Sequence, residues 1–151
     1  MPNIHDLRRS VTGRLVRVAR QWRRVSHHVI SGYGVSEACA TPLLMIGRLG
    51  EGVRQGTLAE YVGIEGPSLV RLLDQLCSAG LARREEDPAD GRAKTIWLTD
   101  AGRAVCEKIE DALISLRAEK LKGINASDLA ATLRVFKAIE LAAAPDAPED
   151  H

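Results

Sequence analysis

The sequence predicts a mainly α-helical fold in which a close helix pair and a small β-hairpin sit between long amphipathic helices. Three observations carry this. Apolar residues recur every three or four positions at both ends of the chain, the mark of helices with one buried stripe. Near the middle, a short helical run is followed after a tight turn by a second with a leucine face. Two extended runs separated by turn-forming residues come next.

From the amino terminus, Ile4, Leu7, Val11, Leu15, Val18, Trp22, Val25 and Val29 fall on one helical stripe. Asn3 is the expected N-cap, and Gly32 and Gly34 the stop. All seven Arg of this segment lie off the stripe, as a solvated basic face around a buried seam would place them. Residues 36–49 are again helical in pattern. With Ser36 as N-cap, Pro42 lies inside the helix and removes a hydrogen bond to the Ala38 carbonyl; with Thr41 as N-cap it takes the favoured first position. Either way a bend or break is expected between Cys39 and Pro42. Gly47, Gly50, Gly52 and Gly56 then mark a loop.

Thr57 to Gly63 reads as a short helix with Thr57 and Glu60 at capping-box spacing. Gly66 and Pro67 open the next helix, whose buried face is Leu69, Leu72, Leu73 and Leu76. Gly80 is placed to be its left-handed terminator, with Leu81 reaching back to Leu76. Strands are expected at 82–86 and 93–98, joined by Asp87, Pro88, Ala89, Asp90, Gly91 and Arg92. Two strands alone are marginal, so Ile96 and Leu98 should pack on the helices. Thr99 caps a helix carrying Val105, Ile109, Ala112, Leu113, Leu116 and Leu121, and Ser127 caps a last one with Leu129, Leu133, Phe136 and Ile139. Residues 144–151 form a flexible tail.

The composition narrows the function. The length of 151 residues suits one domain or one protomer of an assembly. Apolar residues make up 45% but aromatics only 3%, so the core must be Leu, Val, Ile and Ala. Cys39, Cys77 and Cys106 are widely spaced and odd in number, which argues against a disulfide scaffold or zinc finger and for reduced thiols. No unbroken apolar run reaches signal-peptide or membrane-spanning length, so a cytoplasmic protein without a membrane partner is expected. The net charge of +1 hides an uneven distribution: seven Arg against one acid in residues 1–35, seven basic against ten acidic residues in 36–100.

The run Thr57, Leu58, Ala59, Glu60, Tyr61, Val62, Gly63, Ile64, then Pro67, Ser68, Leu69, Val70, Arg71, then Leu73, Asp74, Gln75, Leu76, resembles the MarR family of winged helix-turn-helix regulators, and within it the SlyA-like branch. Gly80, Leu81, the hairpin Asp90, Gly91, Arg92, Ala93, Lys94, and the ending Leu98, Thr99, Asp100, Ala101, Gly102 continue the likeness. Residues 57–102 are diagnostic together, while the outer helices agree in placement and pattern. Where SlyA-like wings often carry two successive Arg, this chain has Gly91 and Arg92. The resemblance implies a winged lobe over 36–99 flanked by dimerisation helices at 1–35 and 100–143. It implies a homodimer on double-stranded DNA at a pseudo-palindromic operator, with repression the usual mode. A small effector, often aromatic and anionic, would release it.

In such a fold the second helix enters the major groove. Ser68, Arg71, Gln75 and Ser78 lie opposite the leucines, with Pro67 at the helix start. Arg71 can grip guanine through O6 and N7, and Gln75 can address adenine or reach only phosphate. Arg92, at the hairpin tip and oriented through an ion pair with Asp90, suits a narrow minor groove. Arg83, Arg84 and Lys94 suit phosphates. Each could equally be an ordinary solvated side chain, and the motif around them decides for DNA. Glu85, Glu86 and Asp87 oppose phosphate binding, so they must turn from the duplex, for instance by pairing with Arg of the first helix.

For the effector, Arg14 and Arg17 would hold an anion between walls of Trp22, His28 and Met45; Trp22 reads equally as core and the two Arg as solvated. Thiol-based redox control is the rival switch, through Cys106 near a helix start, where thiolate is favoured, or through Cys39 or Cys77. His5, His27, His28 and the cysteines show no metal-ligand spacing. No phosphate loop, Ser-His-acid set or HExxH is found, so neither an enzyme nor a cofactor is expected. The remaining alternative is a winged-helix protein-interaction module without DNA binding.

Overall fold

The computed structural model describes residues 1–144, so the expected tail, apart from Ala144, lies outside the described residues. The order is α1 (Ile4–Ile30), a 3-10 turn (Ser31–Tyr33), α2 (Glu37–Leu49), β1 (Val53–Arg54), α3 (Gln55–Val62), α4 (Gly66–Ser78), β2 (Ala82–Glu86), β3 (Lys94–Leu98), α5 (Asp100–Lys120) and α6 (Ala126–Ala143). Among the described residues no single helix is long and apolar enough to cross a membrane. The chain divides into two compact units, Met1–Leu116 and the residues from Arg117 onward.

In the first unit, Asn3 caps α1 by accepting from Asp6 N, and Ser36 caps α2 by accepting from Cys39 N. The Ser36 choice settles the proline question: Pro42 is buried inside an uninterrupted α2. Three expectations between 47 and 62 are corrected. Gly47 belongs to α2 rather than a loop; Val53 and Arg54 form a strand; α3 starts at Gln55, two residues before Thr57, with no side-chain cap. The sheet therefore has three antiparallel strands in the order β1-β3-β2, with Val53 opposite Ile96 and Arg84 opposite Ile96 on the other side. β3, expected from Ala93, begins at Lys94.

α4 ends as its glycine foretells. Gly80 is left-handed, its N–H donates to Cys77 O, and Leu81 N donates to Leu76 O at 2.9 Å, which satisfies the last carbonyls. The Thr99 hydroxyl accepts from Gly102 N and donates to Gly80 O, so one side chain caps α5 and fastens it to the end of α4. The core joins Leu43 and Ile46 of α2, Leu58 of α3, Leu69, Leu73 and Leu76 of α4, Ile96 and Leu98 of β3, and Ile109 and Leu113 of α5. Aliphatic side chains fill it, as the scarcity of aromatics required. The first half of the α1 stripe is not part of it: Ile4, Leu7, Val11 and Val18 are exposed.

In the second unit, the last helix is capped by Asn125, which accepts from Asp128 N, and not by Ser127. Leu129, Leu133, Phe136 and Ile139 of α6 are all exposed.

Candidate nucleic-acid interface

Leu69, Leu73 and Leu76 are fully buried and fix the rotation of α4, so the opposite side faces outward. Pro67 stands at its exposed start, Ser68 is half-buried, and Arg71 is exposed one turn on. Arg71 has no ion-pair or hydrogen-bond partner among the described residues, so its guanidinium is available. Gln75 is differently employed: its Oε1 accepts from the Cys39 thiol at 3.2 Å, which directs the amide oxygen toward α2.

The wing cations differ in what they touch. Arg84 Nη1 lies 2.7 Å from Asp74 and Nη2 donates to Val70 O at 3.0 Å. Its side chain is only 25% exposed. It is a clamp between β2 and α4, where a freely projecting phosphate ligand was expected. Arg83 sits over the Trp97 ring, 5.4 Å from its centroid, and pairs with Glu85 at 3.0 Å; Lys94 pairs with Glu86 at 3.4 Å.

The wing turn is built on its aspartates. Asp87 Oδ1 accepts from Ala89 N and its Oδ2 receives Arg54 at 2.7 Å. The Ala89 N–H first, and the Arg54 guanidinium after it, hold this carboxyl below the usual carboxylate range. Asp90 was expected to form an ion pair with Arg92; instead its carboxylate accepts the Arg92 backbone N–H at 3.0 Å. The Arg92 side chain has no ion pair among the described residues. The three suspect acids, Glu85, Glu86 and Asp87, are matched by Arg83, Lys94 and Arg54, neighbours in the sheet, and not by Arg of α1.

A concavity of about 500 Å³ lies between the wing and the start of α3, lined by Arg54, Gln55, Thr57, Glu60, Arg92 and Lys94. Arg54 and Thr57 went unnoticed as site residues because Arg54 reaches this place only through β1, too short to leave a pattern.

A second cavity, about 340 Å³, is lined by Arg23 of α1, Glu37, Ala38 and Thr41 of α2, Val62 and Ile64 at the end of α3, and Leu72 of α4. The effector residues expected from sequence do not line it: Arg14, Arg17 and His28 are exposed on α1, while Trp22 and Met45 pack against the core. The off-stripe position of Arg23 was the one signal available. All three cysteines are free. Cys106 is buried, and burial first, then the nearby Glu110 carboxylate, pushes its thiol up to about 11, the reverse of a thiolate favoured by a helix start. No group of three metal-ligating side chains occurs among the described residues.

Comparison with known proteins fits this arrangement. A model of the MarR family matches residues 33–93. The structure of transcriptional regulator PA3341 superposes with a TM-score of 0.80 at 37% identity, covering 87% of this chain and 96% of that one. A mutant MarR from E. coli complexed with operator DNA gives 0.73 at 26% identity, covering 89% and 98%. CouR from Rhodococcus jostii RHA1 bound to p-coumaroyl-CoA shares the fold, with 0.75 at 20% identity over 87% and 92%.

Proposed function

The chain belongs to the MarR family of winged-helix transcriptional regulators, and from that premise we propose that it binds a pseudo-palindromic operator as a homodimer and leaves it when a small effector binds. The observation that carries this is Arg71, unpartnered among the described residues, on the face of α4 opposite its buried leucines. Ser68 and Arg71 meet base edges in the major groove, and Pro67 sets the close approach of the helix start. Arg92 enters the adjoining minor groove. Arg54, Arg83 and Lys94 border the phosphate track beside the Thr57 hydroxyl, the three charges already balanced locally, which gives a modest salt dependence. Gln75 can donate from its amide nitrogen as it stands, and offers its oxygen to adenine as well only by releasing Cys39.

The exposed apolar stripes on α1 and α6 support burial against a second copy. Two-fold pairing then sets two recognition helices about 34 Å apart, one helical turn of DNA. The run 57–76 supports the SlyA-like branch, and on this reading the protein acts in the cytoplasm as a repressor, the family's usual mode. The cavity at α1, α2 and α4 is the effector site supported best, because its occupant would touch the recognition helix through Leu72. Thiol control finds no support at Cys106, whose thiol stays protonated at neutral pH.

The test is footprinting and fluorescence anisotropy on the DNA upstream of its own gene. Arg71→Ala with Arg92→Ala should abolish specific protection. Arg92→Ala alone should flatten the slope of log K against log salt by about one. A double variant that protects the operator like wild type would remove Arg71 and Arg92 as the readers, and a wild-type protein with no affinity for any duplex would leave a winged-helix interaction module as the reading.

A further inference from the structure

The largest unmatched charge in the described residues lies on α1. Its 27 residues carry seven arginines and no lysine, and after Asp6 no acid follows until Glu37. All seven are exposed, and among the described residues only Arg9 has an acidic partner, Asp6 at 2.9 Å. Arg17, Arg20 and Arg24, spaced three and four apart, form one ridge opposite the apolar stripe, with Arg23 at its edge. Like charges at that spacing destabilise a helix, and interleaved acids, the common remedy, are absent here. The counter-charge is therefore supplied from solution or by a partner.

The chemistry of the ridge points to duplex phosphate. A guanidinium's planar fork grips phosphate oxygens two at a time, and every cation of the ridge is an arginine. From Arg17 to Arg24 the helix rises about 10 Å, close to the axial rise of three nucleotide steps on one strand. Behind the ridge, Trp22, Val25 and Val29 pack against the core, so this part of α1 has no free apolar face to sink into a lipid surface. Arg23 shares a cleft with Leu72 of α4, which sets the ridge beside the recognition helix. The cations of β1 and the hairpin, by contrast, already have acidic neighbours, Arg54 with Asp87, Arg83 with Glu85 and Lys94 with Glu86.

We propose that Arg17, Arg20 and Arg24 form a second nucleic-acid surface, which holds phosphates of the operator duplex outside the bases that α4 reads. The inference rests on the DNA-binding reading above. Such a surface adds grip without sequence preference, so affinity grows with the length of flanking duplex. Each phosphate matched steepens the fall of log K with log salt by about 0.9, so three contacts add about 2.7 for each ridge engaged. A fourfold rise in salt then costs roughly fortyfold more affinity on flanked DNA than on the bare operator.

The experiment is fluorescence anisotropy over a salt series with the full chain. One duplex is the footprinted operator trimmed to about two helical turns, and the other extends it by about two turns of unrelated sequence on each side. Wild type should bind the extended duplex more tightly and with the steeper slope. The triple variant Arg17→Gln, Arg20→Gln, Arg24→Gln, which keeps similar helix propensity, should match wild type on the short duplex and lose the gain from the flanks. A control, Lys108→Gln, Lys120→Gln, Lys122→Gln, removes as many exposed cations from α5 and the turn after it and should keep that gain. Circular dichroism confirms folding of each variant. No gain with length, a gain that survives the ridge variant, or a loss shared by the lysine variant would overturn the proposal. So would ridge-dependent sedimentation with phosphatidylserine vesicles in place of a flank effect, which would assign the surface to lipid. Wild type with no preference for the operator over unrelated duplex would remove the regulator reading, while operator binding indifferent to its flanks would remove only the ridge.

Discussion

Gly102→Ala is the most direct test of how the winged lobe is held together. A Cβ at this position would intrude on the Leu81 carbonyl oxygen and lie 2.9 Å from its carbon. Carbon atoms in contact settle at about 3.5–4.0 Å, which alone asks for a separation of roughly 0.6 Å, and the deeper intrusion on the carbonyl oxygen drives the first turn of α5 and the Gly80 to Leu81 turn further apart than that. Both obstructing atoms belong to backbone, which has no rotamer to escape into. Overpacking of this kind costs about 1–3 kcal/mol. Separation also weakens the Thr99 N to Leu81 O bond, now 3.1 Å, at about 1 kcal/mol. Replacing a helical glycine returns about 1 kcal/mol. The net loss is then about 1–3 kcal/mol, a fall in Tm of roughly 2–12 °C for a chain of this size. Thermal unfolding by circular dichroism at fixed protein concentration measures it, since any self-association makes Tm depend on concentration. Gly47→Ala is the control: also inside a helix, it would meet only Cys106 Sγ and Leu98 Cδ1, both at 3.9 Å, and should be neutral or stabilising by up to about 1 kcal/mol. A Gly102→Ala protein as stable as wild type would refute the close-approach argument.

Arg84→Ala and Arg71→Ala should separate structure from recognition. The first loses the clamp to Asp74 and Val70 and destabilises by about 0.5–1.5 kcal/mol in urea unfolding, a modest figure because Asp74 is exposed. The second should leave the midpoint unchanged and weaken operator binding by about 1–3 kcal/mol. Gly52→Ala is doubly disfavoured, by a φ of +88° and by a Cβ 2.9 Å from the Trp97 ring, and should alter the near-ultraviolet circular dichroism of that indole along with the Arg83 stack upon it. Finally, the Cys106 thiol is raised from 9.0 to about 11, so folding favours its neutral form. Its contribution is complete below pH 9 and lost as pH climbs toward 11. The stability advantage of wild type over Cys106→Ala should therefore shrink across that interval; an advantage constant through pH 11 would contradict it.

What could be read from residues alone was what local pattern encodes. The α4 stripe, the Asn3 cap, the Gly80 terminator and the Thr99 cap each depend on neighbours within a few positions, and each stands as expected; of the α1 stripe the helix is borne out, but only Trp22, Val25 and Val29 pack against the core. β1 could not be read: two residues have no period, and Val53 and Arg54 become a strand only because Thr95 and Ile96 arrive opposite them. The start of α6 went to Ser127 because Asn125 is an equally good cap two residues earlier. Among the site residues, Arg71 could be placed from helix geometry, whereas the engagement of Arg84 with Asp74 and of Gln75 with Cys39 depends on how separate elements meet. The cavity was missed for the same reason, since Arg23, Glu37 and Leu72 share no sequence neighbourhood.

The short strand β1 has a mechanical consequence. It bonds to β3 on one side and runs without a break into α3, while Arg54 at that junction grips Asp87 at the root of the hairpin turn. The hairpin is thus bolted to the helix pair at both ends, and Arg84 adds a third fastening to α4. Any tilt imparted to the recognition helix must carry the fingertip with it. On the regulator reading, the two probes then strike a duplex at one fixed phase, and a target whose narrow groove is displaced by a single base step, about 3.4 Å, must be bent to fit.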